Sequence, residues 1–289
     1  MQKDSGRSQQ TSRGSITPCN GPFLFFWGGD PARVMARRHG PLVFGPSTAS
    51  SNGGPVRPGG RTQAGTHMVS SHTASMAGAQ EVWRAMCRQT GTVNTFSMEE
   101  LLDMLVAFSC MPPATGVNLL VGGGSGGKSV TSADECEEEG LHLLTVPTDV
   151  REKLTAKDPF FGAWVTNPVD GSIMGGSNLT PHDVITLIAS SPEYDVVINS
   201  IGIGNDPSRQ TRATRMLEHT VDIANNLGKP VALVMADFAP ENEQQLKAIL
   251  ALRHQCINEG FPIFPSIGRA SKAVYRLVAY YRGKDSSQA

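Results

Sequence analysis

A doubly wound α/β fold, with one parallel sheet covered by helices on both faces, is what this 289-residue sequence predicts. Three observations carry that expectation. From Gly116 to Tyr281, short apolar runs of strand length alternate with longer helical runs, and Gly, Pro or a capping residue marks most junctions. Tyr194–Asn199 (YDVVIN) is rich in β-branched residues, as a strand buried on both faces should be. Alternating β and α units close through right-handed crossovers, which makes the sheet parallel.

The chain begins with a segment that does not share this pattern. Residues 1–62 carry a net charge of +6, leaving −7 for the rest. Residues 1–58 are rich in Ser, Gly, Pro and Gln, and their one apolar patch is Phe23–Trp27. Without helical or strand periodicity they read as a disordered basic leader. An organelle transit peptide shares its acid-poor composition, whereas a secretory signal needs a clean apolar core that is missing. The net charge of −1 gives no global case for nucleic acid, and no apolar run is long enough to cross a bilayer. Five scattered cysteines, with no CxxC pair, point to reduced thiols in a cytoplasmic setting and give no metal-ligand spacing.

Residues 59–115 form the second segment. His67 and His72 lie in a run of small polar residues that leads into a helix from about Ala77 to Arg88. His72, among Ser, Thr and Ala, has no apolar face to belong to, so it is either a loop histidine or a functional one. Ser97-Met-Glu-Glu100 has the capping-box pattern for a helix to about Ser109, with Leu101, Leu102, Leu105 and Val106 on one face. Met111-Pro-Pro113 ends it.

The third segment, residues 116–283, holds the βα units in order. Strands are expected at Val117–Val121, Leu141–Val146, Tyr194–Asn199, Pro230–Met235 and Pro262–Phe264. The helices between them are Lys128–Glu139, Thr148–Thr155, one starting at Thr180-Pro181, one from Asp206-Pro207 to Gly228, and Pro240–Asn258. An amphipathic helix over Ser266–Tyr281 closes the chain. Five such units suggest the flavodoxin-like strand order 2-1-3-4-5.

That order places a ligand crevice at the switch point, beyond the carboxyl ends of the first and third strands. The loop after the first strand, Gly122–Gly127, is a dense glycine run leading into a helix, and such a turn brings bare N–H groups and a helix dipole to an anion. Gly123, Gly124, Ser125 and Gly126 are the candidate phosphate cradle. The loop after the third strand, Ser200–Asn205, adds Gly202. Asn167-Pro168-Val169-Asp170 lies in a loop able to close the same crevice. Asp170 would repel a phosphate, so it reads as a metal, donor or loop-fixing residue, and a Pro turn with an Asx cap explains the motif equally well. Gly122–Ser129 also fits the P-loop pattern, with Lys128 and Ser129 in the phosphate and Mg²⁺ roles and Asp237 after a strand as the metal-binding carboxylate.

The stretches GGRTQAG, SSHTASMAG, EVWRAMCRQTG, SMEELLDMLVAF, VGGGSGGKSVTSADECEEEGL, NPVD and GFPIFPSIGRASKAVYRLVAYY occur in the order found in the NDP-forming acyl-CoA synthetases. From about Gly59 to Arg282 the chain resembles that family, relatives of succinyl-CoA synthetase. The resemblance implies that residues 116–283 are the family's flavodoxin-like ligase domain and that His72 is the histidine phosphorylated in turnover. It implies CoA and ATP/ADP with Mg²⁺ as substrates, and CoA-binding and ATP-grasp domains or subunits as partners beside the carboxylic acid. Two departures stand out. Ala74 replaces the family's glycine after His-Thr, and residues 1–58 do not resemble the CoA-binding domain. The chain is therefore expected to be part of an acid–CoA ligase (ADP-forming), or an inactive docking or regulatory module of the same family.

Overall fold

The computed structural model describes residues 55–56, 62–65, 67–68, 80–159, 164–171, 179–204, 206–235 and 240–288. Its centre is a five-stranded parallel sheet of β3 (Asn118–Gly122), β4 (His142–Leu143), β5 (Val196–Ser200), β6 (Val231–Val234) and β7 (Ile263–Phe264). The order across the sheet is β4-β3-β5-β6-β7, so the first and second strands exchange places before the others add outward. This is the expected 2-1-3-4-5 order.

Alternation along each strand feeds two cores. Leu120, Val197, Val231 and Leu233 face one side, packed under α4 (Thr148–Lys157), α5 (Pro181–Ala189), α6 (Pro207–Leu227) and α7 (Glu243–Asn258). Leu119, Val121, Val196, Ile198, Ala232 and Val234 face the other, under α2 (Met98–Cys110), α3 (Gly126–Glu138) and α8 (Ile267–Gln288). A period-2 pattern buried on both faces explains why these strands are apolar throughout.

The caps agree with the sequence. Thr180 and Asp183 form a reciprocal capping box with Pro181 at the first helical turn. Asp206 caps α6 through the Arg209 N–H, and Gly228 ends it at φ 64°. At α2, Ser97 accepts from the Glu100 N–H, but Glu100 accepts from Phe96 rather than from Ser97. Several bounds shift. β4 shrinks from the expected six residues to two, and α3 begins at Gly126 rather than Lys128, which makes two loop glycines its first turn. On α2 the buried face is Leu101, Met104, Leu105 and Phe108, while Leu102 turns outward at 37% exposure.

A second, two-stranded parallel sheet pairs β1 (Pro55–Val56) with β2 (Val93–Asn94), and α1 (Gln80–Thr90) lies between them in sequence. Neither strand is expected from the sequence, and β1 falls within the segment read as leader. Charged side chains hold this piece to the large domain. Arg269 on α8 makes a bidentate pair with Asp103 on α2 at 2.7 Å for both bonds. Glu100 pairs with Lys272 at 2.5 Å and Arg276 at 3.4 Å, and Arg276 also donates to the Asn94 carbonyl at 3.0 Å. Burial pushes the Glu100 carboxyl up, yet the Lys272 and Phe96 hydrogen bonds and the Arg276 charge hold it below its ordinary value.

Candidate functional site

The crevice is built where β3 and β5 end side by side, with Gly122 in register with Asn199. Gly123 follows at φ 79°, and a Cβ there would lie 2.1 Å from the Ser200 carbonyl oxygen. The two loops named at the switch point therefore touch, backbone against backbone, and no side chain fits between them. Gly124 takes φ 129°, a conformation L side chains rarely adopt. The chain then enters α3, whose N-cap Ser125 makes no side-chain cap hydrogen bond. The first turn thus presents its backbone N–H groups at the positive end of the dipole with no hydrogen bond from the Ser125 side chain. Ser129, one turn in, has a buried hydroxyl oxygen with no hydrogen-bond partner. Such an atom is costly unless something satisfies it.

The loop after β5 is shaped by other means. Gly202 is exposed, with no atom within 4 Å of the place its Cβ would occupy. Gln245 on α7 braces this loop by donating from Nε2 to the Ile203 carbonyl at 3.0 Å, while its Oε1 accepts from the Glu241 N–H at 2.7 Å. The N-terminus of α6 differs from that of α3, because the Asp206 carboxylate already occupies it. The Ser208 hydroxyl and Arg209 N–H hold that carboxyl below its usual range. The helix that follows the second loop therefore begins at an end already capped by a carboxylate. The Ser125 side chain does not cap the start of α3, whereas Asp206 caps the start of α6.

Asn167 is a clasp. Its Oδ1 accepts from the Val121 N–H at 2.9 Å, and its Nδ2 donates to Leu119 O at 2.7 Å and Leu144 O at 3.1 Å. The side-chain amide thus joins the ends of β3 and β4. Beyond a cis Asn167–Pro168 bond, Val169 donates to Val121 O at 2.8 Å and bridges Gly122. This path carries Asp170 to the first turn of α3, where its Oδ2 lies 3.4 Å from a Cβ built on Gly126. Gly171 then passes close to the Gly124 carbonyl, 3.6 Å from its own built Cβ. A carboxylate in this position is favoured by the dipole of α3.

Gly123, Gly124, Ser125, Gly126, Gly202, Asn167 and Asp170 thus gather around one end of the sheet. Lys128 stands exposed on the first turn of α3. His72 and Asp237 lie outside the described residues, and His67 is exposed. Among the described residues no group of three or more His, Cys, Asp or Glu side chains is placed to hold a metal ion. No described helix is long and apolar enough to cross a membrane. The bracing role of Gln245 has no signal in the sequence, since a glutamine in a helix is ordinary.

A sequence model of the Succinyl-CoA ligase like flavodoxin domain matches residues 56–108, the segment of β1, α1, β2 and most of α2. The alpha subunit of an ADP-forming acetate–CoA ligase II from Pyrococcus furiosus is 28% identical over 224 residues, which are 76% of this chain and 46% of that subunit. The alpha subunit of acetate–CoA ligase I from the same organism is 27% identical over 226 residues, 78% of this chain and 46% of the subunit. Among solved structures, the dinucleotide forming acetyl-coenzyme A synthetase 1 of Ca. Korarchaeum cryptofilum, in complex with phosphate and ADP, superposes with a TM-score of 0.60 at 26% identity. That superposition covers 81% of this chain and 49% of the synthetase. Over most of its length the chain is thus similar to ADP-forming acetate–CoA ligase alpha subunits and to this synthetase. It spans no more than about half the length of these synthetases and ligase subunits. The synthetase resemblance covers both parts of the molecule, the short sheet as well as the five-stranded one.

Proposed function

We propose that this chain is the phosphoryl-handling part of an acid–CoA ligase (ADP-forming), and that His72 is its covalent phosphoryl carrier. The observation that supports this reading best is the crevice at the switch point. There the start of α3, uncapped by Ser125, and the unsatisfied Ser129 hydroxyl adjoin a glycine loop that excludes side chains. These groups suit the oxygens of a phosphoryl group, which accept hydrogen bonds and carry negative charge.

In this reading an imidazole nitrogen of His72 takes the terminal phosphoryl group of ATP, releasing ADP. Neutral imidazole is nucleophilic near pH 7 and leaves readily once phosphorylated. The phosphoryl group then passes to the carboxylate of the acid, freeing the imidazole and giving an acyl phosphate. The CoA thiolate displaces phosphate from it to form the acyl-CoA. Gly123, Gly124, Ser125 and Gly126 would hold the phosphoryl oxygens through backbone N–H groups, with Gly202 leaving the opposite wall open. Asn167 fixes the wall that carries Asp170. Mg²⁺, when bound with ATP, would offset the charge of its phosphates. The ATP and CoA sites belong to partner domains or subunits, and the free thiols Cys87, Cys110, Cys136 and Cys256 suit a reducing, cytoplasmic setting.

A non-enzymatic docking module that keeps the crevice without turnover is the second reading. Labelling with radioactive ATP in the presence of a chain carrying the ATP-grasp domain separates the readings. An acid-labile label should appear on the parent, vanish in His72→Ala and largely persist in Lys128→Ala. A label that survives loss of His72, with nucleotide binding lost in Lys128→Ala, would establish the P-loop reading instead. No label on any variant would leave the docking module.

A further inference from the structure

Two helices hold the root of the glycine loop, and a pair of histidines joins those helices. Gly122 is the last residue of β3 and stands directly before the loop. A Cβ built on it would meet Ile185 Cδ1 of α5 at 2.7 Å and Asn199 Oδ1 at 2.9 Å. Asn199 is buried at the end of β5 and donates from Nδ2 to the Thr220 hydroxyl of α6 at 2.7 Å. Its Oδ1 makes no hydrogen bond, so the link to Thr220 sets the position of the amide. Helix α5 thus touches Gly122 itself, and α6 reaches it through Thr220 and Asn199.

His182 on α5 and His219 on α6 lie beside these contacts in the chain, three residues before Ile185 and one before Thr220. Their rings stack with centroids 3.7 Å apart and planes 14° from parallel. Rings this close admit no water between them, and two imidazolium charges at that distance repel. His182 is held in place by Thr186, whose Oγ1 lies 3.2 Å from Nδ1. It also lies in the first turn of α5, where the helix dipole disfavours a cation. Burial first, then His219, push its pKa below the ordinary histidine value, while Asp183 and Asp222 offset part of the shift. Of the other elements packed against α5, α4 brings Lys157, which acts on Asp183, and β3 carries no charged side chain. On α6, Arg215 and Asp222 stand one turn before and one turn after His219, both exposed.

We propose that the His182–His219 stack is an acid sensor for the glycine loop. Protonating both imidazoles parts the start of α5 from α6, and with them Ile185 and the Thr220–Asn199 link that hold Gly122. The loop then loses its fixed root, and the crevice holds an anion less well. The packed form is favoured above the ordinary histidine value, and that contribution is lost as pH falls below it. The loosening of Gly122 stands on these contacts alone, whereas the effect on anion binding rests on the phosphate reading of the crevice.

The test uses the full 289-residue chain with isotopically labelled glycine, followed by nuclear magnetic resonance. Between about pH 7.5 and about pH 5.5, the range in which histidines titrate, the amide signals of Gly122 and Gly123 should move with the midpoint of the His182 ring. Sulfate, whose charge is constant over this range, should bind about threefold or more weakly at the lower pH, within the limit of tenfold per pH unit for one proton. Added positive charge at an ordinary anion site gives the reverse. His182→Gln should abolish both responses, and His219→Gln, which removes the other ring, should do the same; circular dichroism confirms that each is folded. Glycine signals that do not follow His182, or that respond unchanged in the folded variants, overturn the proposal. So does sulfate binding that is unchanged or tighter in acid. No sulfate binding at either pH, with glycine signals that follow His182 and lose their response in the variants, would refute the anion reading of the crevice and support the sensor.

Discussion

Replacing Asn167 by Ala tests whether one side chain fixes the wall of the crevice. The amide makes three hydrogen bonds, to Val121 N, Leu119 O and Leu144 O, all between 2.7 and 3.1 Å. Leu119 and Val121 are buried, and water does not readily replace the lost partner. A net hydrogen bond contributes about 1 kcal/mol, and an orphaned buried group costs about 1–3 kcal/mol. The variant should therefore lose about 3 kcal/mol of stability, allowing for the non-additivity of bonds that share a residue. With an m-value near 3 kcal/mol/M in urea, the midpoint should fall by about 1 M. Urea unfolding followed by circular dichroism gives the value. Asn167→Asp should also be poor, because it keeps the acceptor for Val121 but loses both donated bonds and brings in a charge. A midpoint shift under about 0.2 M for Asn167→Ala, well below one hydrogen bond, would refute the clasp.

The remaining predictions concern the loops and two titrating groups. Gly123→Ala should destabilise by about 2–4 kcal/mol, since its Cβ would meet Ser200 O at 2.1 Å on a backbone with φ 79°, whereas Gly202→Ala should stay within about 0.5 kcal/mol; thermal melts of the pair compare them directly. Glu100, held below its ordinary pKa, should contribute stability that is fully present above the usual glutamate range and lost as pH falls through the lowered value. Glu100→Gln should therefore melt below the parent at pH 7 and converge with it in acid. His182 stacks on His219 with ring centroids 3.7 Å apart, and burial, followed by the His219 charge, pushes its pKa down. Stability should then fall as pH drops below the ordinary histidine value, and His182→Gln should reduce that slope in a series of melts.

How far the sequence reached depended on the range of the interaction concerned. Strands such as Val196–Ser200 are legible because burial on both faces demands apolar residues throughout, and the caps at Thr180 and Asp206 because they act within one turn. The glycine loop is legible for the same local reason. β1 and β2 are not, since two-residue strands hold no periodicity and their pairing joins residues far apart in sequence. Asn167 reads as a possible turn residue, but its partners lie 23 to 48 positions away. The Asp206 carboxylate was legible as a cap, while its consequence for the second anion site follows only from the three-dimensional placement of the two helix ends. The face that takes Leu102 is not legible, because Leu101 and Leu102 are equally apolar and only the tertiary packing buries the first, at 2% exposure, and leaves the second at 37%.

The central claim is a phosphoryl group carried by His72, and mapping the modified residue tests it most directly. The chain would be incubated with ATP and a partner supplying the ATP-grasp domain, digested at alkaline pH where phosphohistidine survives, and analysed by mass spectrometry. The account predicts one phosphoryl group on the peptide containing His72, lost on addition of the carboxylic acid and CoA. It also predicts a sharp reduction in Gly124→Val, whose branched side chain would enter the space of the phosphoryl oxygens on a backbone with φ 129°. Phosphate on His67 instead, or nucleotide bound without any modified peptide and released by Lys128→Ala, would contradict it.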